Sequence, residues 1–427
     1  MAQFRENPDG MHVLVVVAAA GQAVAYALSV MLARSLGAAG FEAYVVASAA
    51  FIVMASFAPL GSDKHVLSRL PGLLQRGDWS QASGLLRFGA RRTLATALVT
   101  GAVVGGLSWS MRDPGDAVWP AMVVTCLSLP AGALAHYGVE ALSAAGRPLR
   151  ALALFKLLTP VLALVLAGML MLRSVPLTGA AAVGCWGVAW VVTLGAMIAA
   201  LRRAAPQALS APADVGEAAV WRVESRPFFV YRVSLAILAQ AGVIGLELMQ
   251  ASAAAIGAYA AASATVGVAA VLATSTNRAY GRKLSLLMEQ GDFEAVMTAR
   301  RERLRRLGPA VIVFLLAIFV FSRPLLAMFR PEFAAEGVAA LRILAVATGV
   351  TVLFSLAPTW LKIRQRRGVI YAAVAVAAAV QVVLLIVLIP PFGATGAALA
   401  YALCVGGMYG VLAVVAHREA MRLGGVR

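Results

Sequence analysis

Four basic residues, Lys156, Arg232, Arg323 and Arg342, stand inside runs that are otherwise apolar for about the 20 residues a helix needs to cross a bilayer. A charge near the centre of a membrane costs about 2.5 to 3.5 kcal/mol on insertion scales, so each is a candidate functional group. The chemistry open to Lys and Arg in such a place is the holding of an anion. At about 1.5 Å per residue, Lys156 lies about 8 Å into its span and Arg232 about 6 Å. Snorkelling to nearby headgroups is the competing role for both. Arg323 and Arg342 fall near the outer ends of their spans and are expected to snorkel.

Uncharged and paired groups add to the inventory. Gln22 and Gln240 sit at mid-depth, where a side-chain amide needs a wet cavity or a hydrogen bond to a neighbouring helix. Arg34 and Glu247 carry opposite charges near the outer ends of their helices. His136 and Glu140, one turn apart, are expected to form an interfacial hydrogen-bonded pair. Cys126, Cys185 and Cys404 lie far apart within apolar runs, without the close spacing of a metal site, and read as small packing residues. No metal or cofactor is expected. No phosphate-cradling glycine loop is present, so transport driven by ATP is not expected.

The elements that must position these groups follow from composition. Hydrophobic residues make up 61% of the 427, and charged residues only 13%, against about 25% in soluble domains. Twelve spans are predicted, at 11–33, 43–62, 93–111, 118–140, 151–172, 179–201, 228–249, 257–277, 308–329, 339–361, 369–390 and 395–416. The first is too long for a signal-peptide core and reads as a retained helix. No soluble domain is expected on either side of the spans. The ninth is expected to end early or kink at Ser322, Arg323 and Pro324. Pro59, Pro130, Pro160 and Pro358 break other helices and offer places to bend.

Net charge is +17, a value that would suit nucleic acid, but its distribution gives another reason. The termini with segments 63–92, 141–150, 202–227, 278–307 and 362–368 hold 28 of the 36 Lys and Arg residues. The opposite set holds only Arg34, Arg112, Arg173 and Arg330. By the positive-inside rule the rich set is cytoplasmic, both termini included, and nucleic-acid binding loses its motive.

A shift of 214 residues lays LLQRGDWSQA on LLMEQGDFEA, with Gly77, Asp78 and Trp79 over Gly291, Asp292 and Phe293. Lys64, Arg69, Arg87, Arg91 and Arg92 fall on Arg278, Lys283, Arg301, Arg305 and Arg306. At slightly different shifts Gln22 meets Gln240, Tyr44 meets Tyr259, and TGAA at 178 recurs at 395. The chain is therefore read as an all-α polytopic membrane protein with twelve transmembrane helices in two six-helix lobes, 1–214 and 215–427. An even number of helices per copy makes the repeat parallel, and two such lobes suit alternating access. In each copy a cytoplasmic amphipathic helix is expected to begin at the GD motif, with Asp78 as N-cap and Gln81 completing a capping box. Trp79, Ala82 and Leu86, matched by Phe293, Val296 and Met297, form its apolar face, and the helix is expected to lie beside anionic headgroups.

The segments LARSLGAAGFEAY at 32–44, PLGSDKHVLSRLPGLLQRGDWSQASGLLR at 59–87, IGAYAAAS at 256–263 and PPFGATGAALAYAL at 390–403 resemble the polysaccharide-export and O-antigen flippase branch of the multidrug, oligosaccharidyl-lipid and polysaccharide exporter superfamily. The resemblance runs in order over essentially the whole chain. It implies a multi-pass protein of the bacterial inner membrane that is not an enzyme and that moves a polyprenyl-pyrophosphate-linked oligosaccharide to the outer leaflet. It implies membrane lipids as surroundings, no nucleic acid, and leaves open a glycan polymerase or assembly protein as partner. Lys156 and Arg232 would then hold the pyrophosphate and Gln22 and Gln240 the sugars, while Arg34 and Glu247 pair as an outer gate. Replacing Lys156 and Arg232 by Gln is expected to leave folding nearly intact.

The drug-exporter branch handles mostly cations and relies on a carboxylate inside the amino-terminal lobe. Here the first three helices carry no Asp or Glu well inside the membrane. One departure from the family pattern is Glu247, where an Asp commonly ends the seventh helix. A glycan-polymerising enzyme would be expected to cluster His, Arg or carboxylates in a sizeable outer loop, and every outer segment is shorter than about a dozen residues.

The charge map is testable. Single cysteines introduced within 112–117 should react with an impermeant thiol reagent in intact cells, and those within 300–306 should react only after permeabilisation. Labelling of the second segment from outside would overturn the map.

Overall fold

The computed structural model describes residues 8–111, 115–173, 176–269 and 293–424, with 277, 280, 284, 287 and 290, and every regular element among them is a helix. In chain order these are α1 (Pro8–Phe57), α2 (Ser62–Arg76), α3 (Trp79–Met111), α4 (Val118–Ala144), α5 (Pro148–Ala153), a π-helical turn (Leu154–Leu158) and α6 (Thr159–Leu172). They continue as α7 (Gly179–Ala204), α8 (Pro206–Ser210), α9 (Ala218–Leu248), α10 (Ala253–Gly267), α11 (Phe293–Ala327), α12 (Pro331–Phe354), α13 (Leu356–Ile363) and α14 (Arg367–Gly424).

Among the described residues nine helical segments are long and apolar enough to cross a membrane, and α10 is a shorter apolar helix. Two of the nine, in α1 and α14, each carry two of the predicted spans. The break within each comes from a glycine at positive φ, Gly37 at 72° and Gly393 at 51°, a region that side chains disfavour. Each of the twelve predicted spans thus falls at least in part on a helix; the second runs past the end of α1 into a turn at 58–61, α10 covers the eighth only as far as Gly267, and residues 270–276 of that span lie outside the described ones.

Contacts divide the chain into two compact units, residues 1–240 and 241–427, with the division inside α9. The repeat boundary expected at 214/215 is a property of the sequence and stays an expectation. In the first unit α4 is central and touches α1, α2, α3, α5 and α7. In the second, α12 holds the same kind of place among α10, α11 and α14. Interiors are rich in alanine, which lets helix backbones approach, while Leu98, Val99, Val103 and Leu107 of α3 and Val313, Leu316 and Val320 of α11 face outward. An outward apolar face of that extent is what lipid, and not water, stabilises.

Several expectations are corrected here. The amphipathic segment after the GD motif is not a separate helix, for α3 runs without a break from Trp79 into the third span. Its apolar face packs on protein: Ala82, Leu85 and Leu86 join Val66, Leu70, Tyr137 and Trp221 in one buried cluster, with Trp79 against it. Asp78 does not cap the helix: its carboxylate accepts from Arg76 Nε at 2.8 Å and from no backbone amide of α3 among the described residues. In the second copy Val296 is buried, while Gly291, Asp292, Arg278 and Lys283 lie outside the described residues, as do the side chains of Phe293 and Met297. Of the two outcomes expected of the ninth span at Ser322, Arg323 and Pro324, an early end is overturned, since α11 continues through Pro324 to Ala327. Arg342 does not simply snorkel: it donates to the Phe319 carbonyl at 3.0 Å and lies over the Phe319 ring at 5.4 Å.

Pro358 has a larger consequence. A proline cannot donate to the carbonyl four residues back, and the helix parts at Ser355 between α12 and α13. Arg303, 1% exposed, fills the break. It donates to the carbonyls of Leu353 at 3.0 Å and Val352 at 3.2 Å, and to Ser355 Oγ at 2.9 Å and Asn277 Oδ1 at 2.8 Å. Arg303→Met should strand the Leu353 carbonyl and leave the Val352 carbonyl and Asn277 Oδ1 to compete for the single Ser355 hydroxyl hydrogen, at about 1–3 kcal/mol for each acceptor left over, and so lower the thermal midpoint of the purified protein. An unchanged midpoint would remove Arg303 from this role.

Candidate functional site

The first unit contains a cavity of about 360 Å³ between α1, α4, the π turn and α7. Gln22 and Lys156 both line it, so the structure brings together one predicted amide and one predicted cation. The remaining wall is aromatic and hydroxylic: Phe51, Phe155, Trp186, Trp190 and His136 with Tyr44, Ser48, Thr125 and Ser128. Among the described residues no carboxylate lines it.

The aromatic groups form a contiguous surface. Phe51 stacks on Trp190 at 5.8 Å, Phe155 approaches Trp190 at 5.2 Å, and the His136 ring meets Phe155 edge-on at 4.7 Å. Trp186 Nε1 donates to Tyr44 Oη at 3.0 Å, which fixes both rings. His136 Nδ1 donates to the Gly132 carbonyl at 2.9 Å, and its expected partner Glu140 is taken instead by Lys64. One helical turn separates His136 and Glu140 along α4, enough to put the first in the cavity and the second beside α2.

Lys156 owes its position to backbone chemistry. Pro160 has no amide hydrogen for the Lys156 carbonyl, and the helix responds with a π turn over Leu154–Leu158, centred on the lysine. Thr159 Oγ1 donates to the Leu154 carbonyl at 3.1 Å and pairs with Thr193 Oγ1 at 2.9 Å, which ties the end of that turn to α7. Gly21 of α1 packs directly on the Lys156 carbonyl, where a Cβ would come within 1.8 Å of the oxygen. Only glycine lets α1 close this side of the cavity.

Arg232 is placed differently from expectation. Its Nη1 lies 2.9 Å from Asp63 Oδ2, and Asp63 is fully buried. The contact is an ion pair off the hydrogen-bond axis, for neither Asp63 oxygen accepts a hydrogen bond among the described residues. Around it α2 is fastened to α9 by polar groups. Glu224 receives His65 at 2.8 Å and Arg69 Nε at 3.1 Å, and Arg92 donates to Ser225 Oγ at 2.9 Å. The hydrogen bonds that Arg69 donates to the Glu224 carboxylate hold its guanidinium above its ordinary range. Phe57 meets Phe229 edge-on at 5.2 Å beside these groups.

Gln240 is half-buried on α9 and does not line the cavity. Arg34 is exposed on α1 in the first unit, and Glu247 is half-buried on α9 in the second. Asp63 went unrecognised in the sequence because it begins a basic segment read as a cytoplasmic loop. Its partner is far away in the chain, and no local pattern announces the pair. The aromatic wall was equally hidden, as its members come from α1, α4, α7 and the π turn.

No protein-family model matches the chain, and no curated protein matches it. Solved structures do. A structure described as the inward-facing conformation of a multidrug resistance MATE family transporter of the MOP superfamily aligns with a TM-score of 0.73 and 14% identity, covering 97% of this chain and 99% of that one. An outward-facing conformation described in the same words gives 0.64 and 13% identity over 99% and 98%. A MOP superfamily transporter from Pyrococcus furiosus, described as having a binding pocket of reverse polarity that suggests a different function, also gives 0.64 and 13%, over 97% and 96%. The chain shares the fold of these multi-pass membrane transporters over its whole length.

The ion pair changes what substitution should do. Arg232→Gln alone leaves Asp63 buried without its counter-charge, which costs about 3–5 kcal/mol, so the expectation of nearly intact folding is corrected. Asp63→Asn with Arg232→Gln should recover most of that loss, measured as the thermal midpoint in detergent. A double variant as unstable as Arg232→Gln would show that the pair is not what holds the two helices.

Proposed function

We propose that the chain is a secondary transporter that moves a polyprenyl-pyrophosphate-linked oligosaccharide from the inner to the outer leaflet of the bacterial inner membrane by alternating access. The observation that carries the reading is the cavity of the first unit, which joins the Lys156 ammonium to an aromatic and hydroxyl wall with no carboxylate among its described lining residues. An anionic diphosphate leaving water needs a fixed cation, and Lys156 supplies one that stays accessible within the cavity. Sugar rings need hydroxyl and amide partners together with apolar faces to lie on. Tyr44, Ser48 and Gln22 supply the first, and Trp186 and Trp190 the second.

On this reading Arg232 adds a second cation once it leaves Asp63, Gln240 is a sugar contact in the other lobe, and Arg34 with Glu247 closes the outer side. A glycan polymerase is a natural receiver of the product.

The second reading is a multidrug exporter of cations, favoured by the descriptions of two of the matching structures. An aromatic cavity could hold a cation by its ring faces, but Lys156 within the same cavity would repel it. The Pyrococcus furiosus structure, with its described reversal of pocket polarity, is a precedent for an altered pocket on this fold.

Export of lipid-linked glycan, measured in cells at matched protein levels, separates the readings. Lys156→Gln should reduce export at least about tenfold, as expected for loss of about 1.4 kcal/mol or more of charge-assisted binding, and Lys156→Arg should retain most of it. Exchanging the charges of Arg34 and Glu247 should restore export lost in either single reversal. Normal export by Lys156→Gln, with drug efflux intact or improved, would reject the flippase reading.

A further inference from the structure

Each compact unit has a groove between the third, fourth and sixth predicted spans of its half of the chain. In the first unit the groove measures about 340 Å³, with α4 as its floor, α3 and α7, each packed on α4, as its walls, and Leu209 of α8 at one end. Its lining is apolar apart from two arginines and the Tyr137 hydroxyl, which is spent on the Leu86 carbonyl. Both arginines stand at the α8 end. Arg87 donates to the carbonyls of Leu209 at 3.2 Å and Ala211 at 3.3 Å. Arg202, in the last turn of α7, is exposed and has no partner among the described residues.

The second unit repeats the arrangement. A groove of about 390 Å³ lies between α11, the break of α12 and α13, and the last part of α14. Leu304, Leu353, Phe354 and Val414 give it apolar walls, and His417 and Arg418, both exposed and without a partner among the described residues, stand toward the end of α14. Arg303 also reaches it, but is committed to the carbonyls of the break. The expected repeat relates the two grooves residue by residue. The shift of 214 lays Ala90 on Leu304, and the shift that superimposes the two TGAA segments lays Met197 on Val414 and Leu201 on Arg418. All six line their grooves.

Apolar walls offer water no partners, so within a bilayer such a groove is filled by hydrocarbon. Among the described residues no carboxylate lines either groove, and the cations at its end are left for an anion from outside the chain. Arg87, Arg202, His417 and Arg418 all belong to the segments expected on the cytoplasmic side, where the leaflet carries anionic lipid. A free phosphate would answer the cations and leave the groove empty, and a neutral lipid would do the reverse. We propose that each half of the chain binds one anionic phospholipid in this groove, an acyl chain lying between the helices and the phosphate on Arg87 and Arg202 in the first unit and on Arg418 with His417 in the second. In the first unit the phosphate accepts from a guanidinium of α3 and one of α7, so the lipid joins two helices across the face of α4. The sites use none of the residues of the Lys156 cavity and stand whatever that cavity carries.

Purified full-length protein in neutral detergent, given equal amounts of phosphatidylglycerol and phosphatidylcholine with the same acyl chains, provides the test. Native mass spectrometry counts the lipids each chain keeps at a concentration that just fills both sites. Wild type should keep two phosphatidylglycerol molecules in preference to phosphatidylcholine. Arg202→Gln and Arg418→Gln remove exposed cations that hold no described partner, so folding is preserved; each should weaken its own site about fivefold and keep one, and the double variant should show no preference. Ile198→Trp, at a position 43% exposed on the wall of the first groove, fills the groove without touching the cations and should also keep one. Inorganic phosphate should displace neither lipid. Equal retention of the two lipids by wild type, or an undiminished preference in the double variant, overturns the proposal. Displacement by inorganic phosphate, or full retention by Ile198→Trp, reduces the sites to surface attraction of anions and overturns it as well.

Discussion

A bilayer offers no hydrogen bonds, and that one fact governs where this chain places its unusual residues. Every amide and carbonyl within the hydrocarbon must be answered by the protein. The prolines are therefore the points at which the fold must improvise. At Pro160 the answer is a π turn, and the turn carries Lys156. At Pro358 the answer is a buried arginine, whose guanidinium takes the carbonyls the broken helix leaves behind. Both devices place a cation at a proline, for opposite ends: Lys156 faces a cavity, and Arg303 is committed to the backbone.

The same constraint governs the carboxylates of the first unit. Glu140 and Glu224 are bonded by neighbouring basic side chains, in the last turns of α4 and near the start of α9, and of those described only Asp63 is both fully buried and thinly supported. Together these contacts make α2 a fastening on α9, the helix along which the chain leaves one compact unit for the next. A fastening built from charges can be released by changing a charge, which a purely apolar contact does not permit.

Much of the fold was legible in sequence because the physics behind it is local. Apolar length gives the spans, and the glycines at 37 and 393 stand between spans that would otherwise run on as one helix. Depth alone was enough to single out Lys156 and Gln22, and both line the cavity. What was hidden depends on distance in the chain. Asp63 reads as the start of a basic loop until α9 folds back on it, and Arg232 reads as a free cation for the same reason. His136 and Glu140 read as a pair because neighbours on a helix share a face, yet it is Lys64 of another helix that reaches the acid. The Trp and Phe residues read as ordinary core, and only the packing of four elements reveals them as one wall.

The π turn also bears on how such a protein can change over generations. Relative to an α-helix it behaves as a single inserted residue, and about 100° of rotation separates successive residues. Because the widened turn absorbs that residue, loss of one residue between 154 and 158 would restore a regular helix and leave the residues beyond it facing as they do now. What such a deletion takes away is the widened turn itself, from which Phe155 and Lys156 reach the cavity. A one-codon change of length at this turn can therefore remove the cation from the cavity while the rest of its lining keeps its place.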